Sequence, residues 1–350
     1  MRAGTLTAAA VEQQARLDLL GLGLVVAAVG WTYASAALAG GRPGPVVLTF
    51  VATGAAFVIG RVVGTAGRWI VPAAITAASL VLVAIFLRQS ILGKALAGPL
   101  HYSNASAALY LQGTIAALVL ALACRPAPAR ATAALAAVGM AAATLIADSR
   151  AIDALLLLPV VALVLSRPPA VRIGLAAFAG MVVVALVATV VLGVTSPGEA
   201  RNPESLAPVG SAVSSNRLML WHDALALIEA HPVTGVGPAR FQFTSPTARS
   251  DSDLRWAHNE FLQQGAEQGV TGLFLLLLLF LWGLLRLGSV PHPDRAIALA
   301  GAAVATLGIQ ACVDYVLHFT ALTVVAAALA GSVIAARVPY RFQEATAHER

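Results

Sequence analysis

Ten separate apolar runs, most of them about as long as a hydrocarbon crossing requires, constrain this chain more than any other feature. They occupy residues 17–39, 45–60, 69–87, 105–123, 131–147, 151–166, 173–194, 270–285, 296–312 and 319–336. Inside a bilayer every backbone N–H and C=O must find a partner within the protein, so runs of this kind fold as helices. Composition points the same way. Of 350 residues, 59% are hydrophobic and 11% charged, against about 25% charged in soluble domains. The expected fold class is all-α: a polytopic transmembrane helical bundle of about ten spans, with one large extracytoplasmic loop containing an amphipathic helix.

The net charge of +6 comes almost wholly from arginine, Lys94 being the sole lysine. The arginines are scattered between apolar runs rather than gathered in a patch, which argues against nucleic acid as a partner. They read instead as topological signals. With the N-terminus inside, Arg2, Arg16, Arg61, Arg68, Arg125, Arg130, Arg167, Arg172, Arg286, Arg295, Arg337, Arg341 and Arg350 fall on the cytoplasmic side. The short external loops receive Arg42, Arg88, Lys94 and Arg150. This asymmetry obeys the positive-inside rule and places both termini in the cytoplasm. The run 17–39 is long for a cleaved leader and reads as a retained first helix. Cys124 and Cys312 fall on opposite faces, so neither a disulfide nor a two-cysteine metal site is expected.

One stretch departs from the alternation. Residues 195–267 are long, polar and rich in Pro, Ser and Asn, and they divide the chain into an N-terminal bundle (1–194, about seven spans), this loop, and a C-terminal part (268–350, about three spans and a tail). Polar loops of such length are usually functional. Its eight acids exceed its five arginines, unlike a membrane-surface anchor. Ser215 or Asn216 suits a helix cap, and Leu218, Trp221, Leu225 and Ile228 recur at helical steps, predicting one apolar stripe on a helix that Pro232 ends near Ala230. Gly235-Val236-Gly237-Pro238 predicts a tight turn. A second helix is expected to begin near Trp256 and run into the next span, with Gly265, Gly269 and Gly272 at a spacing that lets another helix approach.

The chemistry-bearing residues lie in this loop. His258-Asn259 stands at the mouth of a span, where a neutral imidazole accepts a proton near neutral pH. After nine intervening residues comes Gly269-Val270-Thr271-Gly272. Upstream are Arg217, Trp221 four residues on, and Pro232-Val233-Thr234-Gly235-Val236-Gly237. This ordered set resembles the polysaccharide polymerase and ligase family that includes bacterial O-antigen ligases, across roughly residues 214–275. Three further groups extend it: Asp148-Ser149-Arg150, Tyr102-Ser103-Asn104 and Asp314-Tyr315. Family members often carry about twelve spans rather than about ten, so the chain departs in size.

The resemblance implies an inner-membrane enzyme that moves a glycan from a polyprenyl-diphosphate carrier to an acceptor hydroxyl on the outer face, with no cofactor and no obligatory metal. His258 is the implied base, with Arg217 and Arg150 as catalytic contacts to the diphosphate. Guanidinium suits a leaving diphosphate because it is always charged and bonds two oxygens at once. Asn259, Asn104, Asp314 and Trp221 are the implied substrate-binding residues. Partners are the lipid-linked donor, a glycan, lipid or protein acceptor, and membrane lipids.

Plainer roles stand beside these. A histidine at a helix entry often only caps; Arg217 has Asp223 as a possible surface partner; Arg150 suits snorkelling at a helix end. Asn104 suits a cap, Trp221 the core, and His222 and His231 the surface. Asp251-Ser252-Asp253 has the form of a metal-bridging pair but reads as a solvated turn. Ligase, polymerase and protein O-oligosaccharyltransferase share donor chemistry, so the residues do not separate them. A transporter or flippase of lipid-linked glycans would carry charges within its spans, whereas polar groups here collect at one face. A membrane receptor whose loop only binds is a further alternative.

Overall fold

The structure, a computed structural model, describes residues 8–91, 98–147, 149–195, 215–251 and 253–335. Among these there are helices and turns and no strand. In chain order the helices are α1 (Ala8–Ala39), α2 (Gly44–Ala66), α3 (Ile70–Ile91), α4 (Ser103–Ala123), α5 (Ala127–Ile146), α6 (Arg150–Leu155), α7 (Leu157–Val164) and α8 (Pro168–Thr195). They continue with α9 (Ser215–Ala230), α10 (Phe241–Thr244), α11 (Pro246–Ser250), α12 (Glu260–Gly288), α13 (Arg295–Ala311), a 3-10 turn (Val316–His318) and α14 (Thr320–Ala335). Alanine and leucine dominate them, and proline stands in the first turn of α2 and α5, where a missing N–H costs nothing.

Each predicted apolar run is helical, but they are not equal. Seven helices are long and apolar enough to cross a membrane: α1, α2, α3, α4, α5, α8 and α12. The other three runs form Ile152–Val164, Arg295–Ala311 and Thr320–Ala335, all shorter than the roughly 20 residues of a perpendicular span. The first of these is interrupted at Leu156, between α6 and α7. Leu19, Leu22, Val26, Val62, Ile173 and Val184 lie exposed along the long helices. Such surface suits a multi-pass membrane protein, whose outward faces meet hydrocarbon rather than water.

At the centre stands α4, buried without interruption from Ala105 to Ala117. α2 and α14 form the most intimate pair in the bundle, and α14 also packs on α4. A Cβ on Gly60 would sit 2.1 Å from the Ala328 carbonyl oxygen, and one on Gly331 would sit 2.2 Å from that of Phe57. Gly60 and Gly64 form a G-x-x-x-G face on α2, which lets two backbones touch where lipid supplies no hydrophobic push.

The segment joining α8 to α12 builds its own small core. Leu218 and Trp221 of α9 are fully buried with Phe241, Ala248, Leu262 and Ala266, and Leu225 and Ile228 pack half-buried against them. The predicted stripe is therefore the buried face of a helix running Ser215–Ala230. Residues 196–214 and Ser252 lie outside the described residues.

Candidate functional site

The local backbone around His258 is unusual before any chemistry is considered. His258 adopts a left-handed conformation with φ 50°, a conformation few non-glycine residues hold. Its neighbours over-determine it. Asn259 caps α12, its Oδ1 accepting from the Leu262 N–H at 3.0 Å, while its Nδ2 donates to Thr189 Oγ1 on α8 at 2.9 Å. The Trp221 indole Nε1 donates to the His258 carbonyl at 3.2 Å. Cap, anchor and indole thus hold one imidazole at the entry of the longest helix beyond the loop.

What that imidazole meets is Asp314, which follows α13 and is buried, its side chain only 5% exposed. His258 Nδ1 lies 3.1 Å from Asp314 Oδ1. A carboxylate only accepts, so Nδ1 carries the hydrogen, and the neutral form of the ring has its lone pair on Nε2. Asp314 gathers further donors. The Tyr102 hydroxyl lies 2.8 and 2.7 Å from its two oxygens, the Tyr315 N–H donates at 2.8 Å, and Asn104 Nδ2 donates to Oδ2. The Arg217 guanidinium is 3.6 Å from Oδ2. Burial works against the charge of Asp314, but the hydrogen bond from His258 and the charge of Arg217 hold its carboxyl below the usual carboxylate range. Burial, then the charge of Asp314, push the Tyr102 phenol up, so it stays a donor. Ser149 Oγ completes the chain by donating to Asn104 Oδ1 at 2.8 Å, which fixes the amide with its nitrogen toward Asp314.

The glycine motifs serve the backbone. Gly269 breaks α12 with φ 70°, so the carbonyls of the preceding turn lose their helical donors. Val236 N–H takes the Ala266 carbonyl at 2.9 Å, Gly237 N–H takes that of Glu267 at 2.8 Å, and Val270 N–H bonds back to the Pro232 carbonyl at 2.9 Å. Trp31 Nε1 of α1 takes the Gln268 carbonyl at 2.8 Å. A Cβ on Gly235 would lie 2.3 Å from the Glu267 carbonyl carbon, and one on Gly269 would lie 2.0 Å from the Val233 carbonyl oxygen. Only Gly265 of the three spaced glycines faces a neighbouring helix as the spacing suggested, against Ile228 of α9. Gly269 instead opens α12 so that the Pro232–Gly237 turn can lock onto it.

A second imidazole–carboxylate pair lies beside the first and was not anticipated from sequence. His318 Nδ1 is 2.9 Å from Glu260 Oε1, which also accepts the Leu317 N–H at 2.9 Å. Burial opposes the His318 imidazolium, but the adjacent Glu260 charge and hydrogen bond raise its pKa above the usual histidine value. The two pairs cross: residues just before and at the start of α12 each bind a partner just after α13. A histidine four residues after Asp314 was the available signal, and no spacing rule singles it out.

Of the predicted site residues, His258, Arg217, Asn104 and Asp314 come together in one network. Trp221 is fully buried and acts through the His258 backbone; Asn259 is buried and spends its amide on the α12 cap and on Thr189. Arg150 is the first residue of α6, one residue after Ser149, and its side chain lies outside the described residues, as does Asp148. Asp223 is engaged by Ser245 Oγ at 2.5 Å and the Thr247 N–H at 2.8 Å. The Asp253 N–H bonds to Asp251 Oδ1 at 2.8 Å on an exposed turn, and His222 and His231 are exposed. Residues 135–277 match the family model described as O-antigen ligase. No curated protein and no solved structure matches the chain.

Proposed function

On the premise that residues 135–277 are an O-antigen ligase-family domain, we propose that this membrane glycosyltransferase moves a glycan from a polyprenyl diphosphate to an acceptor hydroxyl at the outer end of the bundle. The observation that carries the reading is the buried Asp314 carboxylate holding His258 Nδ1, with Arg217 alongside. The His258 and Arg217 side chains are 15% and 23% exposed, so both ends of the network reach solvent while its centre does not.

In the proposed step the acceptor O–H gives its proton to His258 Nε2 as its oxygen bonds the anomeric carbon. The bond from that carbon to the diphosphate oxygen breaks, and the polyprenyl diphosphate leaves with the electron pair. Asp314 keeps the imidazole in the reactive tautomer and stabilises the imidazolium that forms. Arg217, with Arg150 one residue beyond the Ser149–Asn104 link, meets the charge growing on the diphosphate. Donors aimed at developing charge act mainly on the transition state, and each charge-assisted bond contributes about 1.5–3 kcal/mol. In this scheme metal is not required, both termini are cytoplasmic, and about ten segments cross the inner membrane, three of them short. The parts are a bundle (1–194), a catalytic loop (195–267) and C-terminal helices (268–350).

The test uses vesicles carrying the purified chain and a polyprenyl-diphosphate glycan. His258→Ala should lower transfer about 10²–10⁴-fold, the range for loss of a positioned base, with a melting midpoint that moves much less than the rate. Arg217→Lys keeps the charge and loses the fork, and should also lose most activity. Chelation of divalent ions should leave transfer intact. Wild-type turnover by His258→Ala would remove the proposed base.

A further inference from the structure

The chain is poor in aromatic residues, 6% of its length, yet several are concentrated beside His258. Tyr315 meets the His258 ring edge-on, with centroids 4.8 Å apart and planes at 77°. On its other sides Tyr315 stacks on Tyr102 at 4.7 Å and 20° and lies 6.2 Å from Phe319 at 27°. Trp256, two residues before His258, packs on the His318 ring at 4.2 Å and lies 6.4 Å from Tyr315. Three distant chain segments thus contribute rings to one cluster.

Two ordinary explanations fit poorly. Core aromatics of this protein, such as Trp221, Tyr110, Phe241 and Phe261, are fully buried; Tyr102 and Phe319 are half-buried at the edge of the main core, and Trp256 and Tyr315 are half-buried and belong to neither core cluster. Aromatic belts at membrane interfaces place single rings toward lipid. Here the rings pack on one another and on the polar network, and the Tyr102 hydroxyl is committed to Asp314. Trp256 and Tyr315 each keep part of their ring surface uncovered, beside the His258 imidazole. That combination matches a pyranose, which has apolar C–H faces and a rim of hydroxyls: the electron-rich ring face takes the C–H groups, and the polar edge takes the hydroxyls.

We propose that Trp256 and Tyr315 form a saccharide-stacking subsite that seats a sugar ring next to the His258 imidazole. The inference rests on the glycosyl-transfer reading and adds to it the surface that selects the glycan. Trp256 packs against His318, which Glu260 holds, and that pair is a positioning device for the subsite. A sugar with a continuous C–H face is preferred over one whose axial hydroxyls interrupt that face.

The test takes the full chain in nanodiscs and the oligosaccharide released by mild acid from polyprenyl-linked glycans of the host membranes. Saturation-transfer NMR, irradiating protein aromatic protons, should light the ring C–H groups of one or two sugars. Trp256→Phe keeps a π face and should retain that signal; Trp256→Leu keeps apolar bulk without the face and should lose it. In the vesicle assay Trp256→Leu should raise KM for the saccharide about tenfold, the scale of one aromatic contact, with kcat held. Equal binding and equal KM in the Phe and Leu variants would overturn the subsite even if His258→Ala abolishes transfer. Conversely, active His258→Ala protein together with lost saccharide binding in Trp256→Leu would defeat the reaction reading and leave the subsite standing.

Discussion

The two ends of α12 carry two arginine–aspartate networks of opposite character. Near the far end, Arg286 is wholly buried. Its Nε donates to Asp18 Oδ1 of α1 at 2.6 Å, its NH1 donates to Gln14, and Arg61 of α2 lies 3.5 Å from the same aspartate. Trp282 ties the same corner by donating to the Leu17 carbonyl at 2.8 Å. At the near end, about 40 Å away along the helix, the order is reversed. There the aspartate is buried, and the cation and imidazole it holds reach solvent. A buried cation ringed by protein acceptors joins helices, whereas at the near end the groups held by the buried anion are the ones that reach solvent. On the proposed reaction, the Arg286 network is structural and the Asp314 network serves transfer.

The largest effect expected from this contrast is on turnover at the near end. Asp314→Asn keeps size and removes the anion that fixes the His258 tautomer, so transfer should fall about 10²–10⁴-fold. The thermal midpoint should move much less than the rate does. If activity and stability instead fall together, the near-end network is an ordinary structural cluster and the distinction between the two ends fails.

The next effect belongs to the far end and should appear in stability. Arg286→Ala removes the main partner of Asp18, which is 29% exposed and keeps Arg61, so the loss of stability should fall below the roughly 3–5 kcal/mol of a fully buried pair. Denaturant unfolding of the protein in micelles measures it. The fraction that remains folded should transfer glycan at the wild-type rate. A fall in specific activity matching that of Asp314→Asn would show that the far end also serves the reaction.

The contrast also explains what the sequence disclosed. The apolar runs announced the helices because hydrocarbon permits little else. The Pro232–Gly237 turn and Gly269 were visible because only glycine tolerates those backbones, although helical spacing alone misread Gly269 as a packing face rather than a break. His258, Arg217 and Asp314 were visible as residue types that lipid-facing helices avoid. Their partnership was not, since 56 residues separate His258 from Asp314 and no local period joins them. Arg61 and Arg286 appeared only as topological charges; that both meet Asp18 follows from the packing of α1, α2 and α12, which no single-helix pattern encodes. Gly60 and Gly64 have the spacing of a close-packing face, but small residues are so common in this chain that the motif does not stand out. His318 and Glu260 carried no signature beyond polarity near a helix end.

The smallest expected effect is a slope rather than a step, and it sharpens the contrast through pH. His318 binds its proton more tightly in the folded protein, because Glu260, with Glu267 adding, outweighs burial. A raised folded pKa contributes stability that is complete below the unfolded value of about 6.5 and is lost as pH rises through the folded value. Asp314 has the opposite sign: its depressed carboxyl stabilises above about 3.9 and loses that contribution as pH falls. The near end should therefore be firmest between these limits and loosen on the alkaline side through His318. Melting midpoints of the chain in nanodiscs, scanned from about pH 5 to about pH 9, should decline above neutrality. His318→Gln should flatten that decline, while Arg286→Ala should lower every midpoint and keep the decline. A slope that persists in His318→Gln would place the alkaline sensitivity elsewhere and leave the second imidazole–carboxylate pair with no part in holding the near end.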